Sequence, residues 1–171
     1  RYWMHNGYIT IDNEKMSKSK GNFFTARDIL KEFDGEVVRF FLLSAQYKNP
    51  INFSRKLVEQ AKNGLERLYH AKNNLEYMLK TMESSYTNLK EEENVKSYDR
   101  YKQKFVESMD DDLNTADAIA TIFELVKEIN LNINRSPSKD WVEKSYSLLI
   151  ELSGVLGILG KDSKVDIGNE I

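Results

Sequence analysis

Residues 54–82 read SRKLVEQAKNGLERLYHAKNNLEYMLKTM, and this run decides the fold. Ser54 is a candidate N-cap, and Leu57, Ala61, Leu65, Leu68, Leu75, Leu79 and Met82 recur at close to heptad spacing, interrupted by Lys72. One long helix from Ser54 to about Met82 is expected. A single apolar seam is marginal alone in water, so the helix must find partner helices. They are legible downstream. Glu83 to Lys96 is a polar, Ser- and Glu-rich joint without periodicity. Beyond it, Tyr98, Tyr101, Phe105 and Met109 mark a helix over about 98–109. Asn114 caps a further one to about Asn134, with Ile119, Phe123, Val126, Ile129 and Ile133 inward. Ser136-Pro137 closes it, and Ser138 caps a last helix to about Leu159, stopped by Gly160 and carrying Trp141, Leu148, Leu152, Val155 and Leu159 on its buried side. The tail from Lys161 to Ile171 has no usable pattern.

Upstream, Asn49-Pro50 separates the long helix from an apolar one over about Glu36 to Gln46, where Val37, Val38, Phe40, Phe41, Leu42 and Leu43 are too apolar on all sides for a surface. Asp34-Gly35 breaks the chain before it. Thr25 with Asp28 three residues on resembles a capping box, which predicts a helix from Ala26 to about Phe33. Asp12 to Asn22 has neither period and reads as a loop. Asn6-Gly7, between Tyr2-Trp3-Met4-His5 and Tyr8-Ile9-Thr10-Ile11, predicts a hairpin turn. The expected architecture is mainly α: an antiparallel helical bundle over 54–160, preceded over 1–53 by a β-ribbon, a lysine loop and two connecting helices, and followed by a tail over 161–171.

Composition narrows the chemistry. The 171 residues hold 25 basic and 27 acidic side chains, a net charge of -2, so any polyanion must be met locally rather than by a global field. Cysteine is absent, which excludes disulfides and thiolate metal sites within these residues and suits a reducing cytoplasmic setting. No apolar run reaches the ~18 residues that a membrane span needs. The chain opens on Arg1-Tyr2-Trp3 rather than Met, which reads as an excised piece of a longer protein.

The chemistry concentrates in Lys15-Met16-Ser17-Lys18-Ser19, followed by Gly21-Asn22. Two ammonium groups three residues apart, interleaved with two hydroxyls on a loop, suit a polyphosphate: point charges from the lysines, hydrogen bonds from the serines. Such groups act best where negative charge grows on a departing phosphate. On composition alone, the same run also reads as a solvated basic loop.

Lys15 to Ser19 resembles, letter for letter, the signature loop of class I aminoacyl-tRNA synthetases, and the wider run from Trp3-Met4-His5-Asn6-Gly7 to Gly21-Asn22-Phe23-Phe24-Thr25 resembles its cysteinyl form. Met109-Asp110-Asp111-Asp112-Leu113-Asn114-Thr115-Ala116 resembles the segment that opens a helix in the tRNA-docking, DALR-type bundle of the same family, and Arg39-Phe40-Phe41-Leu42-Leu43-Ser44 adds to the likeness. The resemblance covers about residues 1–160, and because the family usually ends in a small anticodon-reading domain, it implies that residues 161–171 are a tail or the start of that domain. It implies an enzyme that activates cysteine with ATP, with magnesium, and transfers it to cysteine tRNA. Lys15 and Lys18 would contact phosphates as the catalytic pair, Lys18 foremost, and Met16, Ser17 and Ser19 would complete the ATP-binding loop. Lys20 stands where the family commonly has Leu. The family's nucleotide-binding domain and its zinc site are not in these residues, so the chain alone is expected to be inactive, with the rest of the catalytic domain as its partner. The other readings are a methionyl-type synthetase, a mycothiol cysteine ligase, or a non-catalytic helical module; the Met109 to Thr115 block favours the tRNA enzyme.

Arg55, Lys56, Lys62, Arg67 and Lys72 are the candidates for phosphate contacts on the outward faces of the bundle, although spacing does not separate them from solubilising charge. Asp110, Asp111 and Asp112 read as acids favouring a helix start, not as a metal site. Trp3 and Trp141 read as core anchors. His5 and His70 are given no role.

Overall fold

The computed structural model describes residues 1–17, 19, 25–82, 98–135 and 137–161. Five helix starts are closed by side chains of the expected kind. Thr25 and Asp28 form a reciprocal capping box at α1 (Ala26–Glu32), and Asp34 accepts from the Glu36 N–H at α2 (Gly35–Leu43). Ser54 accepts from the Leu57 N–H at α3 (Arg55–Thr81). After α4 (Tyr98–Asp110), Asn114 caps α5 (Thr115–Ile133) and Ser138 caps α6 (Lys139–Val155). Each cap satisfies an amide that the helix itself leaves without a partner.

The fold is mainly α, with a short three-stranded sheet of order β2-β1-β3. α3 packs against α2 and α6, and α4 against α5. The core runs through Val58, Leu68, Ile122, Leu125, Trp141 and Leu149, all fully buried. Burying each such side chain contributes about 1.5–3 kcal/mol, which is what holds helices of marginal intrinsic stability in place. No helix among the described residues is long and apolar enough to cross a membrane.

Five expectations need correction. The hairpin turn is not at Asn6-Gly7. β1 (Ile9–Ile11) pairs antiparallel with β2 (Glu14–Lys15) across Asp12 and Asn13, whose φ values of 49° and 65° place both in the left-handed region. That is the two-residue turn a twisted hairpin prefers, and Asp and Asn are the side chains that tolerate it best. Gly7 instead donates its N–H to the Tyr47 carbonyl at 2.7 Å, and a Cβ there would collide with the Asn49 carbonyl. Its glycine serves close approach, not a turn. β1 then pairs in parallel with β3 (Ile51–Phe53) on its other edge.

The seam of α3 is shifted by one residue from Leu57 to Val58, which continues through Ala61, Leu65, Leu68, Lys72, Leu75 and Leu79 in unbroken heptad order. Lys72 is therefore not an interruption and not outward: it is 4% exposed. Its ammonium donates to the carbonyls of Leu159 at 3.1 Å and Lys161 at 2.6 Å, with Glu76 at 3.5 Å. A buried cation persists because those oxygens replace its water.

α6 ends at Val155, short of Leu159, and its stop is Gly157 rather than Gly160. Gly157 has φ +64°, the Ile158 N–H returns to the Ser153 carbonyl at 3.1 Å, and the Gly157 N–H returns to Gly154 at 3.0 Å. This left-handed cap uses up the orphan carbonyls of the last turn. Arg39 then donates to the Gly157 carbonyl at 2.8 Å, fixing the corner against α2.

The aromatic anchors divide. Trp141 is 1% exposed and central, whereas Trp3 is 89% exposed and anchors nothing among the described residues. α2 also departs from its reading, because Val37, Phe40 and Phe41 are buried while Leu42 is 44% exposed. The joint over 83–96 and the tail beyond Lys161 lie outside the described residues.

Candidate functional site

The lysine loop grows out of the small sheet. Ladder pairing sets Lys15 opposite Thr10 and Glu14 opposite Ile11, so Lys15 closes β2 at the edge of the sheet, with its side chain exposed. Asn52 on β3 secures the turn from the other side: its Oδ1 accepts from the Asn13 N–H at 2.9 Å and from Thr10 Oγ1 at 3.2 Å. The backbone entering the loop is thus held on three strands. Ser17 Oγ and Ser19 Oγ lie 2.7 Å apart, a hydroxyl pair open to solvent with four acceptor lone pairs and two protons between them. Lys18, the lysine ranked foremost from sequence, lies outside the described residues, as do Lys20 and residues 21–24. On the far side, Thr25 resumes the described chain and its capping box starts α1.

Two contacts tie the loop's frame to the bundle. Arg55 at the head of α3 donates from Nε and Nη2 to the two oxygens of Glu32 in α1, at 2.8 and 2.9 Å. This paired fork holds the Glu32 carboxyl below the usual carboxylate range. In the first turn of α2, Glu36 accepts from the Tyr69 hydroxyl and from the Leu159 N–H. Burial, together with that carboxylate, pushes the Tyr69 hydroxyl up to about 12.

The five basic candidates on α3 do not share one environment. Arg55 is engaged with Glu32, Lys62 stands 3.9 Å from Glu59, and Lys72 is buried. Lys56 and Arg67 remain exposed, and with Asn63 and Asn74 they follow one line along α3 at spacings of seven, four and seven residues. Arg67 lies over the Phe123 ring of α5, 5.3 Å from its centroid, which restrains the guanidinium without neutralising it. Sequence spacing alone could not make this division, since it depends on what other helices bring alongside.

The acidic block also resolves. Asn114 caps α5 as expected, accepting from the Asp117 N–H at 3.2 Å. Asp112 does not serve that helix start; its carboxylate is taken by Tyr47 and Lys48 across the corner. Tyr2, Trp3, Met4 and Tyr8 form an exposed apolar stretch before β1.

Residues 1–63 match the family described as tRNA synthetases class I (C) catalytic domain, and residues 104–160 match the DALR domain. All of the chain aligns with a cysteine–tRNA ligase of Clostridioides difficile (strain 630) at 53% identity. It spans 37% of that relative's length. Among solved structures, it is similar in fold to a chain of the ternary LeuRS–tRNA–LeuAMS complex of Agrobacterium radiobacter K84, with a TM-score of 0.71 and 22% identity over 86% of this chain and 20% of that one. The lysine loop within the first matched segment, the later helices of the bundle in the second, and the identity across all 171 residues agree: the chain belongs to the cysteinyl-tRNA synthetases.

Proposed function

We propose that the protein carrying this chain is a cysteine–tRNA ligase, which joins cysteine to ATP as an adenylate, releases pyrophosphate, and passes cysteine to its tRNA. The intact Lys15-Met16-Ser17-Lys18-Ser19 run, presented at the end of a ribbon that three strands hold, carries this reading. Lys15 and Lys18 meet the phosphates of ATP, and Ser17 and Ser19 offer hydroxyls beside them. Fixed cations at that position stabilise charge as it develops on the leaving pyrophosphate. Magnesium accompanies the ATP. The zinc expected to select the cysteine thiol is held elsewhere, since these residues contain no cysteine. The exposed apolar stretch at Tyr2 to Tyr8 packs on the rest of the catalytic domain, and the protein works in the cytoplasm.

The test is cysteine-dependent exchange of labelled pyrophosphate into ATP. The full-length protein is expected to exchange with cysteine and not with methionine, while the 171-residue chain alone gives no exchange. Exchange driven by methionine, or by the isolated chain, would overturn the reading.

For tRNA, the line of α3 that holds Lys56 and Arg67 is the docking face, because these cations have neither a carboxylate partner nor a buried place among the described residues. Replacing both with Ala is expected to weaken cysteine tRNA binding by about three- to tenfold at low salt and to lower the salt slope by about two. Binding titrations at two salt concentrations check this. Lys62→Ala, already beside Glu59, is expected to change little.

A further inference from the structure

The corner between α4 and α5 contains two consecutive non-glycine residues in the left-handed region, Asp112 at φ 52° and Leu113 at φ 54°. Side chains adopt that backbone only where the surroundings over-determine it. Here they do. The Asp112 carboxylate accepts from the Tyr47 hydroxyl at 2.8 Å and from the Lys48 ammonium at 2.7 Å. Its carbonyl lies 3.5 Å from Gln46 Nε2, and Thr115 Oγ1 donates to the Leu43 carbonyl at 2.7 Å. The bundle therefore grips the turn at 44–49 from one side.

The same turn holds the ribbon from the other side. The Tyr47 carbonyl accepts from Gly7, the close fit of Gly7 against Asn49 leaves no room for a side chain, and the Ile51 N–H donates to the Tyr8 carbonyl at 3.0 Å. Gly7 leads into β1, β1 carries β2, and β2 ends on Lys15. An unbroken series of short contacts thus runs from a carboxylate in the bundle to the strand that presents the lysine loop.

We propose that Asp112 is a positioning residue for the Lys15–Ser19 loop: by clamping Tyr47 and Lys48, it sets the register of the 44–49 turn and, through Gly7, the ribbon from which the loop projects. The proposal rests on the reading of that loop as the phosphate-binding element. It gives the acidic block a task other than capping, and it makes the bundle and the nucleotide site mechanically continuous. Contiguity alone does not establish coupling, so the test measures coupling directly.

In the full-length protein, Asp112→Ala is expected to lower kcat for cysteine-dependent pyrophosphate exchange about tenfold, as slight misplacement of a charged group does, with KM for cysteine unchanged. Asp112→Asn, which tolerates the left-handed backbone and still accepts from Tyr47, recovers most of the rate. Tyr47→Phe, which deletes one donor and leaves the corner's backbone alone, shows the same split between kcat and KM. In a Lys15→Ala background, Asp112→Ala adds less than about twofold, since its effect travels through the loop. Wild-type kcat in a folded Asp112→Ala protein would overturn the proposal, as would a loss that multiplies in full with that of Lys15→Ala. Should Asp112→Ala not fold, the Tyr47→Phe pair of measurements decides in the same way. Absence of exchange in the wild type, or wild-type kcat together with wild-type KM for ATP in Lys15→Ala, would overturn the loop reading itself and this proposal with it.

Discussion

Replacing Lys15 with Ala in the full-length protein is expected to lower kcat for adenylate formation by about a hundred- to a thousandfold while moving KM for ATP by less than about threefold. The reasoning turns on when the charge is needed. ATP in its ground state already has magnesium and water to neutralise it, so a lysine at the edge of β2 adds modest binding. As the bond to pyrophosphate breaks, negative charge accumulates on the departing group, and an ammonium already fixed there need not reorganise. The strand pairing of Lys15 with Thr10, and the tether of Asn13 to Asn52, hold the backbone that carries that ammonium. Exchange kinetics at varied ATP distinguish the cases. A raised KM with kcat intact would make Lys15 a ground-state ligand instead. Lys18→Ala is expected to behave in the same way.

Trp141→Ala should cost about 3–5 kcal/mol of stability, the range for emptying the space of a fully buried aromatic ring. Trp141→Phe should cost no more than about 1 kcal/mol, although it too removes volume. The difference lies in the indole nitrogen. Trp141 Nε1 is buried with no hydrogen-bond acceptor among the described residues, and Phe lacks that donor. Eliminating an unsatisfied buried donor recovers about 1–3 kcal/mol, which offsets much of the lost contact. Urea unfolding of the two variants measures both values. Equal losses would show that the indole nitrogen costs the core nothing.

The helices were legible because their signals are local. Thr25, Ser54, Asn114 and Ser138 each cap the helix they were expected to cap, since a side chain's reach to an amide two or three residues away is settled within one turn. What escaped the sequence was set by distant partners. Asn6-Gly7 carries a turn signal, but Gly7 is needed where Asn49 approaches from 42 residues away, and the turn passes to Asp12-Asn13. Lys72 breaks a hydrophobic pattern only on paper, because the carbonyls that receive it come from beyond α6. Gly160 and Gly157 stand three residues apart after the same helix, and the choice between them falls where Arg39 can reach a carbonyl. Trp3 read as buried on the strength of its apolar area, yet none of the described residues covers it. Of the site, the motif was plain in the sequence. The division of its basic neighbours into paired, buried and open was not.

The parallel pairing of β1 with β3 joins residues 42 apart along the chain, with α1 and α2 looped between them. α4 and α5 need only the short link over 111–114 to meet. Closing the longer loop spends chain entropy before any contact returns it, so the sheet is expected to assemble after the helices have formed. Opening follows the reverse order. The ribbon is expected to open as a small unit while the bundle stays folded, because three short strands bury little compared with four long helices. How often Lys15 is out of place is therefore governed by this local equilibrium and not by the global stability of the fold.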